Sequence, residues 1–200
     1  LLSVIGGGPE ALAAVAEAVS TGPRHALSNI TPALPIARPP KFVCVGLNYA
    51  LHAREGGHDI PTYPSFFVRF PSSLVAAGAP VIRPKVSEQL DYECELAIVI
   101  GKGGRHIAES EALDHVFGYT IFNDVSVRDY QRKTGQWTPG KNFDGTGPLG
   151  PVVVTADDLP PGASGLRITT RVNGNTMQDS NTSDMIFSTQ RIIALFSEFA

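Results

Sequence analysis

Leu166, Ile168, Thr170 and Val172 alternate with Arg167, Thr169 and Arg171 up to the pair Asn173-Gly174. A period of two puts one set of side chains on each face of an extended strand, and Asn-Gly supplies the two positive-φ residues of a tight type I′ turn. The stretch is therefore expected to be one arm of a β-hairpin. Short segments of similar character recur upstream, with strands expected over 42–46, 65–70, 93–100, 116–122 and 152–155, punctuated by 20 glycines and 16 prolines. The fold class that follows is mainly β with mixed α/β content, a β domain carrying a few short covering helices.

Two helices are expected. Over residues 9–19, Pro9 suits a first turn and Leu12, Val15, Ala16 and Val19 form one stripe. Near the end, Ser188 is a natural N-cap for a run in which Ile192, Ile193, Leu195, Phe196 and Phe199 recur at helical spacing. Residues 20–40 carry five prolines and read as an extended connector. The chain divides into an N-terminal helix and connector, 1–40, and a main domain, 41–200. It opens on Leu-Leu-Ser and runs to Ala200 without a helix stop signal, so it reads as a fragment truncated on its C-terminal side.

The net charge of −3 offers no basic footprint, which argues against nucleic acid as a partner. No apolar stretch reaches membrane-spanning length, and no signal segment opens the chain, so no membrane partner and a cytoplasmic location are expected. Cys44 and Cys94 are too few for a disulfide framework and sit in apolar contexts, as buried small hydrophobes do.

The chemistry centres on Glu93 and Glu95, which share one strand face with Asp91 and run straight into Leu96-Ala97-Ile98-Val99-Ile100. Like charges in file raise their own energy unless a cation faces them. A divalent ion held by carboxylate oxygens is one answer, and a solvated acidic strand face is the other. Asp124 follows the apolar stretch 119–122 at a strand end, placed either to ligate or to cap a turn. Arg128 and Asp129 lie one turn further on. His52 and Glu55 are i,i+3 neighbours if their segment is helical, suited to activating water or simply to an exposed polar turn. Lys141 lies in a Gly-rich run that lacks the order of a phosphate-binding loop, and fits better as an ammonium brought by a loop to an anionic substrate. Trp137 nearby is expected in the core.

Taken in order, Val45-Gly46-Leu47-Asn48-Tyr49 with His52 and Glu55, Asp91-Tyr92-Glu93-Cys94-Glu95-Leu96, Asn123-Asp124 with Arg128-Asp129, and Gly140-Lys141-Asn142-Phe143-Asp144 resemble the fumarylacetoacetate hydrolase family over residues 40–200. The resemblance implies a rolled mixed β-sandwich with short covering helices, a homodimer, and a divalent cation, Mg²⁺ first with Mn²⁺ or Ca²⁺ as alternatives. It makes Glu93, Glu95 and Asp124 the metal ligands and His52 with Glu55 the water-activating pair on a mobile lid. Lys141 becomes the stabiliser of developing negative charge, and Gln131 and Arg128 become substrate contacts. The implied activity is hydrolysis of a C–C bond in an acylpyruvate-like 2-oxo acid, of the kind used in aromatic compound catabolism. Oxaloacetate decarboxylation or 2-hydroxyhepta-2,4-diene-1,7-dioate isomerisation on the same site is the alternative, and a non-catalytic metal-binding domain the second. Two departures stand out: Leu47 replaces an arginine common in relatives, and the family's Thr-Gly-Thr-Pro segment does not occur.

Overall fold

The computed structural model describes the 200 residues apart from His58, and the side chains of Leu27 and His52 also lie outside the described residues. The N-terminal part is helical, as α1 (Leu2–Gly6) and α2 (Gly8–Thr21). The helix expected at 9–19 forms, slightly longer than its stripe, yet it buries no residue, and Leu12, Val15 and Val19 remain exposed. The apolar spacing that made the helix legible therefore does not dock it on the domain.

The main domain continues with β1 (Val43–Gly46), α3 (Ala50–Glu55), β2 (Ser65–Val68), β3 (Leu74–Ala76), β4 (Leu90–Asp91), β5 (Cys94–Ile100), β6 (Val116–Asn123) and β7 (Ser126–Val127). The one-turn helices α4 (Arg128–Gln131) and α5 (Thr138–Lys141) follow, then β8 (Gly147–Leu149), β9 (Val154–Thr155), β10 (Arg167–Val172), β11 (Asn175–Asn181) and α6 (Thr189–Phe196). The largest sheet runs in the order β3-β8-β6-β5, with β9 also paired to β6. β3 and β8 are parallel while the other pairs are antiparallel, so the sheet is mixed, as the fold class requires.

β1 and β2 form a separate antiparallel ladder. A core of Cys44, Phe67, Leu74, Phe122 and Leu149 seats that ladder on the main sheet, with Trp137 packed against it. Alternation along β6 carries the effect, since Phe122 is fully inside while its neighbour Ile121 is exposed. Cys44 is buried, and Cys94 only half so. The hairpin turns where expected: Asn173 and Gly174 have φ of 51° and 83°, both left-handed as a type I′ turn demands. Ser188 caps α6, its Oγ accepting the Arg191 N–H at 3.2 Å.

Two expectations change. The strand predicted over 93–100 begins at Cys94, leaving Glu93 in the gap between β4 and β5. Lys141 ends a one-turn helix rather than sitting in a loop. The strands that were not anticipated (β3, β4, β7 and β8) are two or three residues long, too short to display a period.

Candidate active site

The backbone around the end of β6 sets the geometry. Asn123 Oδ1 accepts the Glu93 N–H at 3.0 Å, and the Asp124 N–H donates to the Glu93 carbonyl at 2.9 Å. These two bonds register Asp124 beside Glu93, although 31 positions separate them in the sequence numbering. The β4–β7 ladder then pairs Leu90 with Val127 and Asp91 with Ser126, which delivers Arg128 to the acidic edge. Gly140 in α5 has no side chain to collide with the backbone of Gln131, so α4 and α5 pack closely and Lys141 points inward.

The result is a dense ionic cluster. Lys141, 1% exposed, donates to Glu93 Oε2 at 2.9 Å and to Asp124 Oδ2 at 2.6 Å. Arg128 reaches Glu93 Oε1 at 2.5 Å, Asp91 Oδ2 at 2.8 Å and Gln131 Oε1 at 2.9 Å. Ser126 Oγ adds a 3.1 Å bond to Glu93 Oε1. On the core side, Arg69 Nη1 lies 3.0 Å from Asp124 Oδ1, both side chains fully buried. Glu95 completes the group: one of its oxygens, an Asp124 oxygen and Cys44 Sγ lie within 4.8 Å of one another. All six of Glu93, Glu95, Asp124, Arg128, Gln131 and Lys141 are thus brought together.

Burial and charge pull in opposite directions across this cluster. Burial pushes the Glu93 carboxyl up, but Lys141 and Arg128 win and hold it below the usual range. For Asp124 burial wins, and its carboxyl is raised despite Lys141 and Arg69. Glu95 is raised well above the usual range by burial and then by the Asp124 and Glu93 charges. Burial would lower Lys141, yet the carboxylates of Asp124 and Glu93 raise it, so it stays an ammonium. Cys44 is pushed up first by burial, which keeps it a thiol.

The residues fit a divalent cation on two observations. Asp124 Oδ1 has Arg69 beside it but accepts no hydrogen bond among the described residues, because Arg69 Nη1 is directed at the Val125 carbonyl, 3.1 Å away. A Glu95 oxygen, an Asp124 oxygen and Cys44 Sγ lie within 4.8 Å of one another, and Glu95 has no described cation in salt-bridge reach. Hard carboxylate oxygens converging with one uncompensated charge are what Mg²⁺, Mn²⁺ or Ca²⁺ select.

A cleft of about 1390 Å³ opens above the cluster, lined by Glu93, Glu95, Arg128, Gln131, Lys141 and, from α3, Glu55. α3 carries His52 and Glu55, with Ala53 fully buried under it and Glu55 exposed. The expected His52–Glu55 pairing falls outside the described residues. α3 is anchored from far along the chain. Asn48 Nδ2 donates to the Phe187 carbonyl at 3.0 Å and its Oδ1 accepts the Phe187 N–H at 2.8 Å. Asp184 Oδ2 accepts the Leu51 N–H at 3.0 Å. Leu47, where the resemblance led one to look for arginine, takes a left-handed φ of 54° at the entry to this segment.

Sequence reading missed Arg69, Asn48 and Asp184. Arg69 did carry a signal: a lone guanidinium in Phe66-Phe67-Val68-Arg69-Phe70 has to be either solvated or paired, and here it is buried and paired. Asp184 carried none and Asn48 only its place in the Val45–Tyr49 motif, since their partners are more than 130 residues away.

Comparison with known proteins agrees with this fold. The sequence profile described as fumarylacetoacetate (FAA) hydrolase C-terminal matches residues 41–200. The chain is 46% identical over 175 residues to the oxaloacetate tautomerase fahd2, mitochondrial, of Xenopus laevis, covering 86% of this chain and 54% of that protein. It thus spans about half the length of the curated relatives it matches. Among solved structures, the 2-hydroxyhepta-2,4-diene-1,7-dioate isomerase of Mycobacterium marinum superposes with a TM-score of 0.79 at 36% identity, covering 90% of this chain and 66% of that one. The maleylpyruvate hydrolase of Sphingobium sp. SYK-6, solved with manganese(II) and pyruvate, gives 0.85 at 28% identity, covering 100% and 69%. Among the described residues, no helix is long and apolar enough to cross a membrane. With residues 41–200 inside the family profile and its fold shared with these enzymes, the chain belongs to the fumarylacetoacetate hydrolase family.

Proposed function

We propose that this domain is a divalent-cation-dependent enzyme that works on a 2-oxo acid through its enol form, with oxaloacetate and similar diacids first among its substrates. The observation that carries the reading is the convergence of Glu93, Glu95 and the fully buried Asp124 around the ammonium of Lys141, with Glu93, Glu95 and Lys141 lining one cleft. A non-catalytic metal-binding domain has no use for a lysine buried between two carboxylates. We put oxaloacetate tautomerisation first, a choice supported by the name of the Xenopus relative.

Glu93, Glu95 and Asp124 would hold the ion, Mg²⁺ first, and a divalent ion bound there supplies Lewis-acid polarisation of a 2-oxo group. The protein's own groups do the rest. Lys141 Nζ donates a hydrogen bond to the 2-oxo oxygen as negative charge grows on it, in a site where little water competes. Arg128 and Gln131, joined at 2.9 Å, receive the substrate's carboxylate at the cleft wall. Proton transfer at the carbon next to the carbonyl is assigned to His52 and Glu55 of α3: that proton leaves as the enol hydroxyl proton arrives, or the reverse. A second reading is supported by the Sphingobium neighbour: with a distal carbonyl present, the same residues take a proton from water, the hydroxide adds to that carbonyl, and the C–C bond breaks to give a carboxylic acid and the pyruvate enolate, whose carbon takes the proton back.

Enol absorbance of oxaloacetate, followed with Mg²⁺ and again with EDTA, tests the first reading. Pyruvate release from acylpyruvates tests the second. We expect Mg²⁺-dependent tautomerisation that EDTA abolishes, and a loss of about 10²–10³-fold in kcat for Lys141→Met. A rate indifferent to EDTA would sink the metal reading. Pyruvate release from acylpyruvates with no effect on oxaloacetate would put hydrolysis first, and silence on both substrates would restore the non-catalytic domain.

A further inference from the structure

The mechanism above leaves one buried cation unused. Arg69 stands at the end of β2, beyond Val68, with its side chain fully excluded from solvent. It is enclosed on every side. Its Nη1 donates to the Val125 carbonyl at 3.1 Å and sits 3.0 Å from Asp124 Oδ1. Nη2 reaches Thr146 Oγ1 at 3.5 Å, and the guanidinium carbon lies 5.2 Å from the centre of the Phe122 ring. Thr146 is itself fixed, its hydroxyl donating to the Phe143 carbonyl at 2.6 Å.

Gly147 adds an independent sign that the fold accommodates this group: any Cβ there would collide with Arg69 Nη2 and press on the Phe122 ring. Arg69 is also a poor device for stability alone. Its Nε has no partner among the described residues, and a buried ion pair is commonly no more stabilising than apolar side chains of the same volume. Its value therefore has to be sought in what it does to Asp124.

We infer that Arg69 is a positioning residue for the metal centre, fixing Asp124 from the core side while Lys141 fixes its other oxygen, so that the carboxylate is presented to a divalent cation in one orientation. Arg69 does not reach the cleft and touches no substrate. Without it, Asp124 is free to turn wholly toward Lys141, and both groups leave their working positions. The inference rests on the reading of Asp124 as a metal ligand.

The test is Mn²⁺ affinity of the full chain, from the electron paramagnetic resonance signal of free Mn²⁺, with thermal midpoints recorded in parallel. Arg69→Met is expected to weaken Mn²⁺ binding about 10–100-fold, the usual consequence of losing a group that orients a metal ligand. Arg69→Lys should recover part of the loss. In turnover assays the Mn²⁺ needed for half-maximal rate should rise, while KM for substrate at saturating Mn²⁺ stays put. Gly147→Ala should weaken Mn²⁺ binding with Arg69 in place and do so less in the Arg69→Lys background, where a slimmer head group leaves room.

A lowered thermal midpoint with unchanged Mn²⁺ affinity in Arg69→Met would reduce Arg69 to a structural part and overturn the inference. If Arg69→Met fails to fold, wild-type affinity in both Arg69→Lys and Gly147→Ala overturns it equally. Asp124→Asn separates the two levels. If it abolishes Mn²⁺ binding while Arg69→Met leaves it intact, only the positioning role falls. If Asp124→Asn binds Mn²⁺ like wild type, the ligand reading falls and takes the inference with it.

Discussion

Two arginine–aspartate pairs in this chain look alike on paper and do opposite things. Arg167 and Asp179 face each other across the β10–β11 hairpin through two hydrogen bonds of 2.8 and 2.7 Å, with more than half of the arginine side chain in solvent. Arg69 and Asp124 meet at 3.0 Å without good hydrogen-bond alignment, and neither sees water. The better geometry belongs to the pair that matters less. Water around Arg167 already satisfies both partners, so forming the bond mostly exchanges one solvation for another. Inside the domain no such exchange exists, and each charge depends on its protein neighbours. Burial, not bond length, separates a surface contact from a working part.

The contrast can be broken in three steps of falling size. Asp124→Ala leaves Arg69 and Lys141 buried around a missing carboxylate and should lower the free energy of unfolding by about 3–5 kcal/mol, measured by urea titration. Asn48→Ala tests whether burial matters without charge. It strands the Phe187 N–H and carbonyl, and a loss of about 1–3 kcal/mol is expected in the same titration. Arg167→Ala should leave the thermal midpoint where it was, at low and at high salt. A midpoint that fell as far for Arg167→Ala as for Asn48→Ala would show that burial is the wrong axis.

The same axis explains what could be read in the sequence. The hairpin was legible because alternation and Asn-Gly act over neighbouring residues, and Ser188 was legible because a cap sits next to its helix. The candidate site was legible as an ordered set of short motifs: Glu93, Glu95, Arg128, Gln131 and Lys141 line one cleft, and the fully buried Asp124 is bonded to Lys141. The N-terminal stripe shows the limit of periodicity, for it forms the helix and then leaves its apolar face exposed. Arg69 shows a different limit. Its sequence says that a charge lies among aromatics, but only the approach of residues 124 and 147 in space says which carboxylate it serves.

The anchoring of α3 by Asn48 and Asp184 has a consequence for how the chain comes to life. The helix bearing His52 and Glu55 is made early in synthesis, yet the backbone it is tied to, at residues 184–187, emerges some 130 residues later. Contacts of such long sequence separation form late, because loop closure has to be met before they contribute. A ribosome-bound chain that stops before residue 184 lacks the tether that holds this helix. The cleft is thus left without the anchor of one of its walls until residues 184–187 have been translated.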